Sequence, residues 1–429
     1  MKKNKFLKSS IILIIGGLLT KFLGMFVKII LTRSIGSHGM GLYSMIMPTF
    51  LLLISISGFG LTTALNVLIS SNKYNNKNII ITSLIISLSI DFIIFILLFI
   101  FSGYISNNLL NNEILKIPLL SIGFVLPFIT VSNIFRIYYF SKERMLPHVI
   151  SNIIEDLIKL LLIYFFMKYF SSNEKTSLSF LILINIFSEL SSIIIFIHCF
   201  PNFTITYSDI KPNKKNIKDI LSISIPTTIS RLINSITYFL EPIILTYTLT
   251  KIGYSNNYIV TEYGIINGYV LPILLLPSFL TNAISQALIP SISKNYSNKN
   301  YIKLKKGINQ ALYISLILGI IFTLIFTFSG KLFLNLLYKT DEGINYIRFL
   351  APIFIFHYLE HPLLSSLQAM NKSKTNLKIS IYNFFIRTIG LASLCILKIN
   401  MYGLLITLSL NMIFTCIYSW NKINKILEI

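Results

Sequence analysis

Seven basic side chains lie inside long apolar runs of this 429-residue sequence: Lys21, Lys28, Arg136, Lys159, Arg231, Arg348 and Arg387. Six acids share such runs, namely Asp91, Glu155, Asp156, Glu189, Glu241 and Glu360. A charge near the centre of a helix in hydrocarbon costs about 2.5–3.5 kcal/mol on the lowest scales. One kept there therefore faces protein or a water-filled cavity and marks an ion or substrate path. The chemistry open to buried ammonium and guanidinium groups is the binding of an anion. Lys21 and Lys28, seven residues apart, share one face of a helix with Gly17 and Gly24, where small residues permit close approach of another helix. Ser224, Thr228, Arg231, Ser235, Tyr238 and Pro242 recur at helical spacing beside Glu241, a polar seam suited either to a cavity wall or to an interhelical hydrogen-bond seam. The candidate substrate-binding set is thus Lys21, Lys28, Arg231, Arg136, Glu155, Lys159 and Glu241.

Other constellations lead to less. His357 and His361 flank Glu360 at i, i+3, i+4 spacing, which suits a proton relay but supplies too few ligands for a metal. Arg348 and Arg387, near predicted helix ends or of uncertain depth, fit snorkelling to the interface as well as function. Cys199, Cys395 and Cys416 lack metal-ligand spacing. No Walker loop, nucleophile elbow or zincin motif occurs, so no ATP hydrolysis or covalent catalysis is expected, and no cofactor or metal.

The elements that must hold these groups are membrane helices. Hydrophobic residues make up 54% of the chain and charged ones 12%, half the usual share for a soluble domain. Apolar runs fall at about 9–32, 41–70, 79–102, 114–140, 147–170 and 176–199, then at 220–250, 263–290, 307–329, 345–370, 375–397 and 402–420, each long enough to span a bilayer. The expected fold is all-α and polytopic: about twelve transmembrane helices in two six-helix halves, 1–200 and 220–429, joined by a cytoplasmic linker at 201–219. The start, Met1 to Lys8 then Ser9 to Leu19, resembles a signal peptide without a small-residue cleavage site and is read as an uncleaved first helix.

The net charge of +22 does not indicate nucleic acid, because the Lys and Arg recur in small groups between apolar runs instead of forming one basic surface. Their distribution sets orientation. Of 37 Lys and Arg, seven lie within spans and eight in the loops that a cytoplasmic N-terminus would place outside: Arg33, Lys116, Lys168, Lys175, Lys251, Lys331, Lys339 and Lys398. The other 22 fall inside, so both termini are expected in the cytoplasm. The halves also match each other. Residues 69–78 (ISSNKYNNKN) parallel 291–300 (SISKNYSNKN), Ala64-Leu65 parallels Ala287-Leu288, Pro48 parallels Pro272, and Thr20-Lys21 parallels Ser230-Arg231. A duplication with an even number of helices per repeat relates the halves by a pseudo-two-fold axis along the membrane normal.

Several stretches resemble the oligosaccharide and peptidoglycan-precursor flippases of the MATE-like (MOP) superfamily, and within it the stage V sporulation protein B group. They are Leu19-Thr-Lys-Phe-Leu-Gly24, Leu31-Thr-Arg-Ser-Ile-Gly36 and Gly39-Met-Gly-Leu-Tyr43; Arg136-Ile-Tyr-Tyr-Phe140 with Met145, Pro147, Ser151, Ile154 and Glu155; Ile225 to Arg231; Leu276-Pro277 and Ala287 to Ser291; and Leu364 to Lys372. Ile137 and Lys142 replace two glycines of the family pattern. The resemblance implies a cavity between two six-helix halves, with Lys21 and Arg231 at positions that meet a substrate pyrophosphate. Lys at 21 replaces an Arg, keeping the charge but losing the bidentate fork. It further implies a multi-pass protein of the bacterial cytoplasmic membrane, a role in cell-wall or polysaccharide biosynthesis or sporulation, and a lipid-linked sugar diphosphate as substrate. Membrane lipids and cell-wall synthesis enzymes are the expected partners, and nucleic acid is not. Better-known members have fourteen helices, the last pair holding the lipid tail, whereas twelve are expected here. The alternative on the same scaffold is a cation-coupled multidrug exporter, for which Asp91 and Glu241 would be the acidic groups. A scaffold recruiting wall enzymes ranks last, since the loops offer little surface.

Overall fold

The computed structural model describes residues 2–70, 75–142, 144–170, 173–199 and 214–427. Most of the expected linker, 201–213, and part of the matched loop, 71–74, lie outside the described residues. Among the described residues every regular element is a helix. Chain order gives α1 (Lys2–Ser57), α2 (Leu61–Ser70), α3 (Asn76–Tyr104), α4 (Lys116–Ser141), α5 (Met145–Phe170), α6 (Glu174–His198), α7 (Lys214–Ile252), α8 (Asn256–Ile265), α9 (Leu271–Leu275), α10 (Ser278–Ser297), α11 (Tyr301–Tyr338), α12 (Ile344–Leu350), α13 (Phe354–Ala369), α14 (Ser373–Ile396) and α15 (Tyr402–Leu427).

Nine segments of the described residues are long and apolar enough to cross a membrane. The first, Ile15–Ser70, has 56 residues, about 84 Å of helix against a hydrocarbon core of about 30 Å, so it holds two crossings. Gly36 divides them: its φ of 70° is open to glycine without a Cβ penalty. Thr32 and Met40 then meet, Oγ1 to Sδ at 3.6 Å, although eight residues of straight helix would separate them by about 12 Å. The chain therefore doubles back at Gly36. With α5 and the α12–α13 pair, the crossings among the described residues number twelve, consistent with the sequence expectation.

Three spans that hydropathy reads as single helices are interrupted. The second breaks at Gly58-Phe59-Gly60, between α1 and α2. The eighth runs through a π turn at Ile266–Val270 and breaks before α10 at Leu276-Pro277, and the tenth breaks at 351–353, where Pro352 has no N–H to continue the ladder. The second and eighth spans share this interrupted form, and in each the Ala-Leu pair lies in the helix that follows the break, α2 and α10. The Asn-rich loops start helices: Asn75, Asn173 and Asn300 cap α3, α6 and α11 by accepting from the amides of Lys77, Lys175 and Lys303.

The chain forms two compact units, 1–239 and 240–429, whose boundary falls inside the continuous helix α7. In the first, α1 packs on α5, α5 and α4 pack on α6, and α3 packs on α4. One core joins Leu31 and Met40 to Ile163, Leu181 and Ile184, and another joins α2, α3 and α4 to Ile220 of α7. In the second unit α13 packs among α10, α11 and α15, and α14 lies on α15.

Candidate functional site

On α1 the stripe Gly17, Lys21, Gly24 and Lys28 is an open face. A Cβ added at Gly17 or Gly24 would meet nothing within 4 Å, which overturns the expectation that these glycines admit a neighbouring helix. The close approach is instead at Gly16, one residue round the helix, whose missing Cβ makes room for Val149 of α5. The back of α1 is thus packed and the lysine face is not. Lys21 is exposed, Lys28 is half-buried, and neither forms an ion pair among the described residues. Their positions differ by about 10 Å along the axis.

Arg231, on α7, is exposed, and its Nη2 donates to Thr63 Oγ1 of α2 at 3.3 Å. No carboxylate pairs with it among the described residues. The elements that position it are pinned by the polar seam. The Ser235 and Ser55 hydroxyls lie 2.8 Å apart, and Thr227 Oγ1 donates to the Gly60 carbonyl at 3.5 Å. Thr228 bonds back to the Ser224 carbonyl at 2.7 Å. Of the two readings of the seam, the interhelical one describes Ser235, which meets Ser55 of α1, and Arg231, which meets Thr63 of α2, while Thr228 bonds within its own helix. Tyr238, farther along, is exposed. Gly60 is the keystone, with φ of 60° and a carbon that would stand 2.3 Å from Thr227 Oγ1 if it were alanine.

The remaining candidates are engaged with one another. Arg136 of α4 donates to Glu155 of α5 at 2.7 Å and reaches Glu189 of α6 at 3.7 Å, while Lys159 donates to the other Glu155 oxygen at 2.7 Å. Ser192 completes the shell at 3.5 Å from Glu155. Two bases and two acids from three helices make a neutral cluster, of which Glu189 is the member sequence reasoning left outside the candidate site, although its acid type inside an apolar run was the available signal. In the second unit Glu241 accepts from Arg387 of α14 and, at 3.1 Å, from the Tyr263 hydroxyl. Arg387 is not a snorkelling residue. It sits at mid-helix with 12% of its side chain exposed. His357 Nδ1 lies 3.2 Å from Glu360, and the His357 and His361 rings meet edge to face. Lys331 binds Asp341, in the loop before α12, at 3.0 Å and holds that carboxyl below the usual range.

Twelve apolar crossings with interrupted second and eighth helices define a multi-pass membrane protein of the MATE-type transporter fold. An inward-facing multidrug resistance MATE transporter of the MOP superfamily superposes with a TM-score of 0.72 at 15% identity, covering 95% of this chain and 94% of that one. A MOP superfamily transporter from Pyrococcus furiosus, described as having reversed polarity of its binding pocket, gives 0.64 over 99% and 96% at 15% identity. The chain belongs to the polysaccharide biosynthesis protein family, whose model matches residues 6–296, and residues 266–394 match the MatE family. It is 30% identical to stage V sporulation protein B of Bacillus subtilis (strain 168) over 90% of this chain and 77% of that one. It is 24% identical to the capsular polysaccharide biosynthesis protein CapF of Staphylococcus aureus over 81% and 82%.

Proposed function

We propose that this chain is a flippase that carries a polyprenyl-diphosphate-linked oligosaccharide or peptidoglycan precursor across the bacterial cytoplasmic membrane. It works by alternating access of two halves, 1–200 and 220–429, joined by a cytoplasmic linker at 201–219, with both termini in the cytoplasm. The observation that carries this reading is a difference among the bases within spans. Arg136, Lys159 and Arg387 are neutralised by carboxylates, whereas Lys21, Lys28, Arg231 and Arg348 have no ion pair among the described residues, and of these Lys21, Lys28 and Arg231 lie on the first helices of the two halves. Cations without a carboxylate partner among the described residues suit a doubly charged phosphate group. Family membership and the CapF likeness support a lipid-linked sugar as the cargo.

The ion-paired sets have a different part in this reading: Arg136, Glu155 and Lys159 brace α4, α5 and α6 against each other, and Glu241 ties α7 to α14. An exporter of organic cations needs acids that face its cargo; of the two acids that reading uses, Glu241 lies against Arg387 and Asp91 is buried at 1% exposure. Outward movement of an anion is favoured by an inside-negative potential. The test is reconstitution in vesicles with labelled polyprenyl-diphosphate sugars and organic cations offered in parallel. Arg231→Ala is expected to cut sugar-lipid transport at least about tenfold, the loss of one charge-assisted contact, with membrane abundance unchanged. Wild-type rates from that variant, or transport of the organic cations alone, would overturn the proposal.

A further inference from the structure

The first unit holds a large cavity that neither the ion pairs nor the lysine face uses. Its volume is about 510 Å³, within the range of sites for organic ligands, and it lies among α1, α3 and α7 inside the unit 1–239. The walls are hydrocarbon. They include Leu53 and Ile56 of α1, Ile90 and Leu97 of α3 and Phe239 of α7, and the Tyr104 hydroxyl is the one polar side-chain group among the described lining residues. A lining without donors or acceptors can orient no polar ligand, and such a cavity stays free of water. The ligand class it admits is a hydrocarbon chain.

Helix geometry shapes the space. After α3 the chain continues in a π turn, Ile105–Leu109, and both end residues of that turn line the cavity. Turns of this kind occur mostly as single bulges, frequently at functional sites. Ile94 and Leu98, one turn apart on α3, are buried at the floor, whereas Leu97 and Phe101 are about half exposed, so the cavity opens along one side of α3. Its position relative to Arg231 indicates which chain enters. Arg231, Ser235 and Phe239 follow at i, i+4 and i+8 on one side of α7, and Phe239 stands about 12 Å beyond Arg231 along the axis. Ser235 meets Ser55 at 2.8 Å, and Ser55 lies between Leu53 and Ile56 in α1, so the cavity starts where the seam that holds Arg231 ends. A diphosphate at Arg231 thus has its own chain within reach of the cavity. The direction fits as well. With the N-terminus in the cytoplasm, α3 and α7 both run outward, which puts the cavity on the outer side of Arg231. A lipid of the cytoplasmic leaflet keeps the same order, its head inward and its chain pointing outward. Bilayer hydrocarbon is as apolar as leucine, so the cavity holds a chain by close packing, and a side chain that fills the space excludes it.

We propose that this cavity receives the polyprenyl chain of the cargo while the diphosphate is held at Arg231. The identity of the cargo rests on the flippase reading above; the capacity to take a polyprenyl chain does not. The test uses the full chain in lipid nanodiscs that contain phosphatidylglycerol, with a polyprenyl phosphate carrying a diazirine on its chain. Photolabel is expected on α3 between Ile90 and Tyr104, displaced by unlabelled polyprenyl phosphate. It should fall at least about tenfold in Leu97→Trp through loss of packing contacts. Leu53→Trp fills the space from the α1 wall where Leu97→Trp does not give folded protein. No label on α3, label unchanged in both variants, or label that added phosphatidylglycerol removes as readily as polyprenyl phosphate does, overturns the proposal; the last result gives the cavity to bilayer lipid. In vesicles, an undecaprenyl-diphosphate sugar is compared with its geranyl analogue, whose chain is too short to fill the cavity from Arg231. Either Trp variant is expected to lower the ratio of long-chain to short-chain rates at least about tenfold, whereas Arg231→Ala lowers both rates together. An unchanged ratio in the Trp variants, with Arg231→Ala inactive, overturns the chain site and leaves the flippase reading standing. Labelled α3 in a wild-type protein that moves neither sugar lipid supports the chain site and overturns the flippase reading.

Discussion

At the scale of single residues, the membrane interior sorts the charges into spent and unspent ones. Glu155 holds two bases at 2.7 Å each, so Glu155→Gln would leave Arg136 with the more distant Glu189 and take from Lys159 its ion pair. Breaking a buried pair from one side costs about 3–5 kcal/mol, and the variant is expected to unfold at clearly lower temperature in detergent. Recovery requires the whole cluster to go: Arg136→Met, Glu155→Leu, Lys159→Met and Glu189→Gln together should recover much of that loss, because no charge is then orphaned. A Glu155→Gln variant with unchanged thermal stability and impaired transport would show that this cluster touches cargo instead. The members of the cluster were legible in the sequence, since charge inside an apolar run is visible by type and depth. The pairing was not. Arg136 and Glu155 are nineteen residues apart and Glu241 and Arg387 are 146 apart, and partners at such separations are chosen by helix packing, which hydrophobic periodicity does not encode. Arg387 shows the consequence, since its depth in the span is open in the sequence and allows snorkelling, whereas the fold sets it beside Glu241.

At the scale of the element, the glycines divide by what surrounds them. Gly60 has positive φ and stands against Thr227 and the Ser224 carbonyl, so Gly60→Ala is expected to destabilise the protein by about 1–3 kcal/mol and to loosen α7 from α2. Gly24→Ala, on the open lysine face, should change stability by no more than about 0.5 kcal/mol, or raise it slightly through helix propensity. Equal thermal shifts for the two variants would contradict this division. Helix number and rough position were legible because twenty apolar residues are a long signal. The breaks were legible only in part. Pro277 and Pro352 are visible stops, but Gly58 and Gly60 interrupt a run whose average hydropathy barely changes, so the second span read as one helix.

At the scale of the molecule, the charge bias of the loops predicts which side of the membrane each helix end meets. Cys199 closes α6 and is exposed, whereas Cys395 and Cys416 are buried, which makes Cys199 a native reporter. A membrane-impermeant maleimide should label Cys199 in inside-out vesicles and not in intact cells. Labelling from the outside would reverse the proposed topology. The boundary between the two compact units adds a mechanical consequence. It lies between Phe239 and Leu240, within a helix that runs unbroken from Lys214 to Ile252 and carries Pro242 just beyond that point. Proline has no N–H to continue the backbone ladder, so this long helix has one donor fewer along its length than an all-amide rod would have.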